Sequence, residues 1–203
     1  MSNRTLHRRM LRTLALSLVA ASHILMPQFA TPAQAGNKRR ELHPGDTVKL
    51  KTTWGDGYVL NFGGTEGYDD PFAKIHWNTS WDLPNRFEVS TPHTEGLNWR
   101  MLKNRWSGKC LAAKQVLNHG SVTQETCNSA DATQFWAGQW GAGESAWFRN
   151  LAHYRAGLNT VMTQMDGPFV GSPVTMETLI PEYNTQEWFV ETCLVNGVEQ
   201  QYC

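Results

Sequence analysis

The chain has 203 residues, 40% of them apolar and 18% charged, with 9 Trp, 17 Gly and 9 Pro. That length suits one large domain or two small ones; the aromatic content excludes a disordered chain and the low charge excludes a coiled coil. The first 35 residues hold four of the 18 basic residues (Arg4, Arg8, Arg9 and Arg12) and none of the acidic ones, so the remainder carries a net charge of −4. Such a remainder has no general attraction for phosphate backbones or for a strongly anionic membrane surface, which argues against nucleic acid as a partner.

Residues 1–35 read as a cleaved export signal. Arg8, Arg9 and Arg12 form a basic start, Leu14 to Met26 an apolar stretch, and Ala33-Gln34-Ala35 a small-x-small cleavage pattern. About 13 apolar residues fall short of the ~20 needed to cross a bilayer. No later segment comes closer, so the product is expected to be secreted or periplasmic, without membrane insertion. The context His7-Arg8-Arg9-Met10-Leu11 suits a twin-arginine signal as well as an ordinary secretory leader. All four cysteines (Cys110, Cys127, Cys193 and Cys203) lie beyond the leader, and an even count in an exported chain implies disulfides. Of the three possible pairings, Cys110–Cys127 with Cys193–Cys203 is favoured because each closes a short loop. Neither CxxC nor His–Cys ligand spacing occurs, so no metal or cofactor is expected.

Three degenerate repeats organise the rest. Val122-Thr-Gln-Glu-Thr126 recurs as Val174-Thr-Met-Glu-Thr178, displaced by 52, and the same displacement carries Gln134-Phe-Trp136 onto Gln186-Glu-Trp188. Upstream, Gly108-Lys-Cys-Leu111 is matched to Arg155-Ala-Gly-Leu158, displaced by 47, which implies a loop insertion. In a third copy Tyr58-Val-Leu60 stands for Lys109-Cys-Leu111 and Asn85-Arg-Phe87 for Gln134-Phe-Trp136. After an N-terminal arm (36–46), the units run over about 47–90, 97–139 and 145–191, and a tail (192–203) follows.

Each unit opens with alternating apolar positions: Val48 and Leu50, Trp99 and Met101, Ala146 and Phe148. Alternation bounded by Gly-, Asn- and Asp-containing turns predicts short half-buried strands, and no long helical period with caps follows residue 36. The reading is all-β, with three units closing around a pseudo-threefold axis. Phe87, Trp136 and Trp188 form the central plug. The other tryptophans of the second unit, Trp99, Trp106 and Trp140, are read as core.

Ser107-Gly-Lys-Cys-Leu111, Cys127 closing the same loop, and Gln134-Phe-Trp136 together resemble the ricin B-type β-trefoil lectin repeat with its Q-x-W signature. Gln186-Glu-Trp188 is a second match and Asn85-Arg-Phe87 a degraded third. The resemblance implies a β-trefoil of twelve strands that binds sugars. In that family an acidic residue directly after the unit's Leu accepts hydrogen bonds from sugar hydroxyls. An aromatic ring two places before the second cysteine stacks on the sugar, and an Asn just before the Q-x-W completes the polar set.

Carried over, these places fall on Ala112, Glu125 and Thr133 in the second unit, which departs at all three and is read as structural. The third unit offers Asn159, Glu177 and Thr185, with Tyr183 near and Gln186 in the signature. The first unit is the best remaining candidate, with Asn61 at the acidic place, His76 at the stacking place beside Trp77, and Asn85 for the signature Gln. An amide lacks the charge-assisted strength of a carboxylate, so sugar binding is expected to be weak or altered in specificity.

No G-x-S-x-G elbow, H-E-x-x-H or phosphate-cradling glycine loop is present, so the chain is not expected to be an enzyme. Two readings remain. One is a secreted lectin-like module whose partners are glycans or glycoconjugates. The other is a sugar-site-eroded trefoil acting as the cell-binding or adaptor subunit of a toxin, as in the similar A and C subunits of cytolethal distending toxin, with a toxin or enzyme subunit as partner. Trp77-Asn-Thr-Ser-Trp81 is read as barrel capping rather than as a recognition loop.

Overall fold

A computed structural model describes residues 42–53, 58–63, 69–77, 85–95, 98–140, 145–167, 169–195 and 198–199. The expected leader, Trp81 and Cys203 lie outside them, as do the side chains of His76 and Trp77.

The first unit folds as β1 (Thr47–Thr52), β2 (Tyr58–Gly63), β3 (Asp69–Trp77) and β4 (Phe87–Pro92). The second gives β5 (Arg100–Asn104), β6 (Cys110–Ala112), β7 (Gly120–Ser121), β8 (Thr123–Glu125) and β9 (Phe135–Trp140). The third gives β10 (Ser145–Asn150), a short helix α1 (Leu151–Arg155), β11 (Thr160–Gln164), β12 (Val174–Thr178) and β13 (Trp188–Val195), followed by β14 (Val198–Glu199). With β7 and β8 counted as one strand interrupted at Val122, each unit supplies four strands.

The first and last strands of the units close a ring. β1 pairs with β4, β4 with β5, β5 with β9, β9 with β10, β10 with β13, and β13 returns to β1, all antiparallel. Closure leaves these six strands without a free edge. The middle strands form hairpins β2–β3, β6–β8 and β11–β12. Their second strands meet at Ala73, Val122 and Val174. The Ala73 N–H donates to the Val122 carbonyl (2.9 Å) and the Val122 N–H to the Val174 carbonyl (3.0 Å). These residues each lie two places before the partner of the unit's central hairpin residue, in the pairs Leu60–Ile75, Leu111–Gln124 and Met162–Met176. The pseudo-threefold axis is thus written in the backbone.

Phe87, Trp136 and Trp188 are fully buried and share one core cluster with Leu50, Leu60, Leu102, Leu111, Phe148 and Met162. The two indoles are anchored identically: Trp136 Nε1 donates to the Leu111 carbonyl and Trp188 Nε1 to that of Met162, each at 2.9 Å. An aromatic plug with a polar edge needs such a partner when buried.

That anchoring corrects the sequence alignment in two places. Met162, not Leu158, is the counterpart of Leu111, a displacement of 51. The cause is α1, inserted after Asn150, whose side chain caps it by accepting the Ala152 N–H at 3.0 Å. Five helical residues are too few to show a period. The second correction is one of face. Leu102, opposite Val89, holds the place of Leu50 (opposite Val190) and Phe148 (opposite Gly138). Trp99 and Met101 therefore turn to the other side, into a second cluster with Cys110, Phe135, Ala137 and Leu151. A one-residue slip along a strand exchanges the two faces. Trp99 is thus core as read, in that second cluster, whereas Trp106 is half exposed.

Cys110 and Cys127 are joined by a disulfide that spans 17 residues. Cys193 is also disulfide-bonded; its expected partner Cys203 lies outside the described residues.

His153 on α1 is fully buried, with Nδ1 2.8 Å from Thr160 Oγ1. Burial holds its pKa below the usual imidazole value, against the opposing effect of the Gln115 and Ala113 backbone. Protons then bind the unfolded chain more readily than the native one. The stabilising contribution is present above about pH 6.5 and is lost as pH falls through the lowered native value. The urea midpoint is expected to drop between pH 7.5 and pH 5, and to drop less in His153→Gln. Equal drops in both proteins would contradict this.

Candidate functional site

The signature glutamines are fixed by the backbone they brace. Gln134 Oε1 accepts the Asn128 N–H (2.8 Å) while its Nε2 donates to the Thr126 carbonyl (2.9 Å). Gln186 repeats this with the Ile180 N–H (2.7 Å) and the Thr178 carbonyl (2.8 Å). Each amide clamps the loop between the hairpin and the unit's last strand. The role is positional, set by the two backbone groups that each side-chain amide satisfies.

The second unit has Ala112 fully buried, and Lys114 Nζ paired with Glu125 Oε2 at 3.0 Å where the family's stacking ring would stand. Thr133 is tied to Asp131, its N–H and hydroxyl both donating to Oδ1 at 2.9 and 2.6 Å. In the first unit Asn61 lies on β2, buried, opposite Lys74 of β3, and Asn85 is fully buried before β4. His76 and Trp77 are on β3.

The third unit holds a pocket of about 380 Å³. Its wall includes Thr163 and Gln164 from β11, Glu177 and Thr178 from β12, and Tyr183 and Gln186 from the loop that the glutamine clamps. Asn159 is exposed and absent from the lining; its carbonyl accepts the Leu179 N–H at 2.8 Å. The place after the unit's central residue belongs to Thr163, by the displacement of 51 already noted. Thr163 Oγ1 donates to the Val161 carbonyl at 3.1 Å. Tyr183 and Ile180 expose apolar surface at the mouth.

Two lining residues, Asn118 and His119, come from the β6–β7 loop of the second unit. His119 Nδ1 is 2.6 Å from Glu177 Oε2, and Thr175 Oγ1 donates to Glu177 Oε1 at 2.6 Å. Asn118 Oδ1 accepts the Thr178 N–H at 2.7 Å, and Asn118 Nδ2 lies 3.0 Å from His119 Nε2. The neighbouring unit's loop is thus buttoned across the pocket edge. Gly120 lets this loop fold tightly on itself: a Cβ there would collide with the loop's own Gln115 carbonyl. His119 takes a left-handed backbone, φ 64°. Repeat alignment within one unit has no means of revealing this cross-unit contribution, and through the misplaced insertion it took Asn159 for Thr163.

No protein-family model matches the chain, and neither does any curated protein sequence. Solved structures do match. The BEL beta-trefoil superposes with a TM-score of 0.55 at 18% identity, over 74% of this chain and 95% of that one. The fold is a β-trefoil. The Polyporus squamosus lectin, solved with a Neu5Ac-containing epitope, gives 0.60 at 12% identity over 75% of this chain, which spans 51% of the lectin. A chain of the Haemophilus ducreyi cytolethal distending toxin gives 0.57 at 12% identity, over 80% of this chain and 95% of that one.

Proposed function

We propose that this β-trefoil is an exported, non-catalytic carbohydrate-binding module of ricin B-type, with altered sugar sites and its principal site in the third unit. The observation that carries the reading is the pocket between β11, β12 and the Gln186-clamped loop. It lies where the family's sugar-binding places fall and sets a few polar groups in a largely apolar wall beside the exposed ring of Tyr183. Sugars present a C–H-rich face and a rim of hydroxyls, and this mixture of surfaces answers both. The ring comes from the loop rather than from the usual place, held here by Glu177. A weaker first-unit site of Asn61, His76, Trp77 and Asn85 belongs to the same proposal.

A glycan array on the exported protein tests it. Binding is expected, and Tyr183→Ala is expected to weaken it by about 1.5–3 kcal/mol, roughly 10- to 100-fold. Loss in Asn61→Ala with Tyr183→Ala unaffected would move the site to the first unit. A blank array would refute the reading.

The adaptor reading has one observation in its favour, the match along nearly the whole of a cytolethal distending toxin chain. Its test is a protein partner that co-purifies with the exported chain when the array is blank.

A further inference from the structure

We propose that the second-unit loop of residues 113–119 is an acid-released edge of the third-unit pocket, latched by His153 of α1. The inference specifies the regulation of the site proposed above and rests on that reading, while the release itself is measured without any ligand.

His153 touches both parts of the pocket's frame. Its Nδ1 meets Thr160 Oγ1 at 2.8 Å, at the start of β11, the strand that gives Thr163 and Gln164 to the wall. On the other side the backbone of Ala113 and Gln115 acts on the ring. That loop runs on to Asn118 and His119, which edge the pocket through Thr178 and Glu177. The ring is 0% exposed, and its Nε2 is buried without a hydrogen-bond partner.

Of the two sides, α1 is the firmer. Asn150 caps it, Leu151 is buried in the second cluster, the Tyr154 ring lies 5.7 Å from that of Trp99, and Arg155 pairs with Glu95. The loop is thinner, with residues 114–117 exposed. Its ends are tied by the Ala113 N–H to the Thr133 carbonyl (2.9 Å) and by the His119 N–H to that of Met176 (2.8 Å). Between them the Leu117 N–H turns back to the Gln115 carbonyl at 2.8 Å. Exposed segments with little buried apolar surface open at the lowest cost.

A neutral imidazole offers one N–H and the imidazolium two. The closed site supplies a hydroxyl at Nδ1 and no acceptor at Nε2. Burial disfavours the charged ring, the Gln115 and Ala113 backbone opposes that in part, and no charged side chain contributes. The charges on neighbouring elements are turned elsewhere: Lys114 to Glu125, Asp131 to Thr133, Arg155 to Glu95 and His119 to Glu177. Arg149 of β10 adds nothing to the ring either. Opening the loop brings the imidazole into water, where it takes a proton at about pH 6.5. Below that pH, opening gains up to ~10-fold per pH unit, until the closed ring titrates at its own lowered value. A proton on His119 acts the other way, since it keeps that ring on the Glu177 carboxylate. Loss of the edge in acid therefore belongs to His153.

The test is amide hydrogen exchange on the intact exported protein without sugar, at pH 7.5 and 5.5, corrected for the intrinsic pH dependence of exchange. Protection at Ala113, Leu117 and His119 is expected to fall by up to ~10-fold, while β1 and β13 keep theirs. In His153→Gln the loop is expected to lose this pH dependence. A pH-independent loop in the wild type, or the same fall in His153→Gln, would overturn the latch. Uniform loss through β1 and β13 would overturn local release. Should the variant fail to fold, the wild-type His153 ring and the loop amides are expected to titrate on one curve, and separate midpoints would overturn the coupling. A glycan bound at pH 7.5 is expected to weaken with the same pH dependence; constant affinity beside an opening loop would overturn its role as the pocket edge. An array blank at both pH values would refute the proposed function, and the sugar-free exchange would still decide the release.

Discussion

Trp136→Ala is expected to lower stability by about 3–5 kcal/mol, among the largest effects of any single substitution in this chain. The indole is fully buried at the meeting point of the three units, and its Nε1–H is the partner of the Leu111 carbonyl. Truncation removes a large apolar surface, opens a cavity where three units converge, and leaves a buried carbonyl without its donor. For a domain of this size about 2–4 °C accompanies each kcal/mol, so the melting temperature is expected to fall by ~10 °C or more. Trp188→Ala is expected to match it, because Trp188 makes the same bond to Met162. Trp106→Ala is the control: a half-exposed ring is expected to change stability by about 0.5 kcal/mol or less. Chemical denaturation of the three variants checks the ranking. A loss below about 1 kcal/mol at Trp136 would mean that the units do not close on that ring.

Removing the Cys110–Cys127 bridge by a double Cys→Ser substitution is expected to cost about 3 kcal/mol. A 17-residue loop frees that much chain entropy in the unfolded state. Gly108, with φ 70°, turns the chain just before the closed loop. The bridge fastens the β6 hairpin, the smallest of the three, with only three pairs between β6 and β8. Denaturation with and without reductant checks this, together with a non-reduced peptide map linking Cys110 to Cys127. An unchanged midpoint on reduction would show the hairpin to be held by its strand pairing alone.

The sequence and the structure agree most closely where one residue type has a single physical duty. The glutamine three places after Asp131 or Tyr183 must satisfy two backbone groups, and the aromatic two places later must fill the axis, so Gln134 to Trp136 and Gln186 to Trp188 stand out in the sequence. Agreement fails where spacing is elastic. The first turn of the third unit is long enough to accommodate α1, and that moves the counterpart of Leu111 from Leu158 to Met162. The acidic place shifts with it from Asn159 to Thr163. In β5 both Met101 and Leu102 are apolar, so hydropathy alone does not say which faces the axis; pairing with Val89 does. The pocket was half legible. Glu177 and Gln186 follow from repeat alignment, whereas Asn118 and His119 belong to another unit and meet Glu177 only after the barrel has closed.

The most direct test is an amide-shift titration of the labelled protein with a panel of neutral monosaccharides. The account predicts saturable shifts centred on Thr163, Gln164, Glu177 and Tyr183, extending across the unit boundary to His119. Shifts confined to the first or second hairpin, or none at saturating sugar, would contradict it.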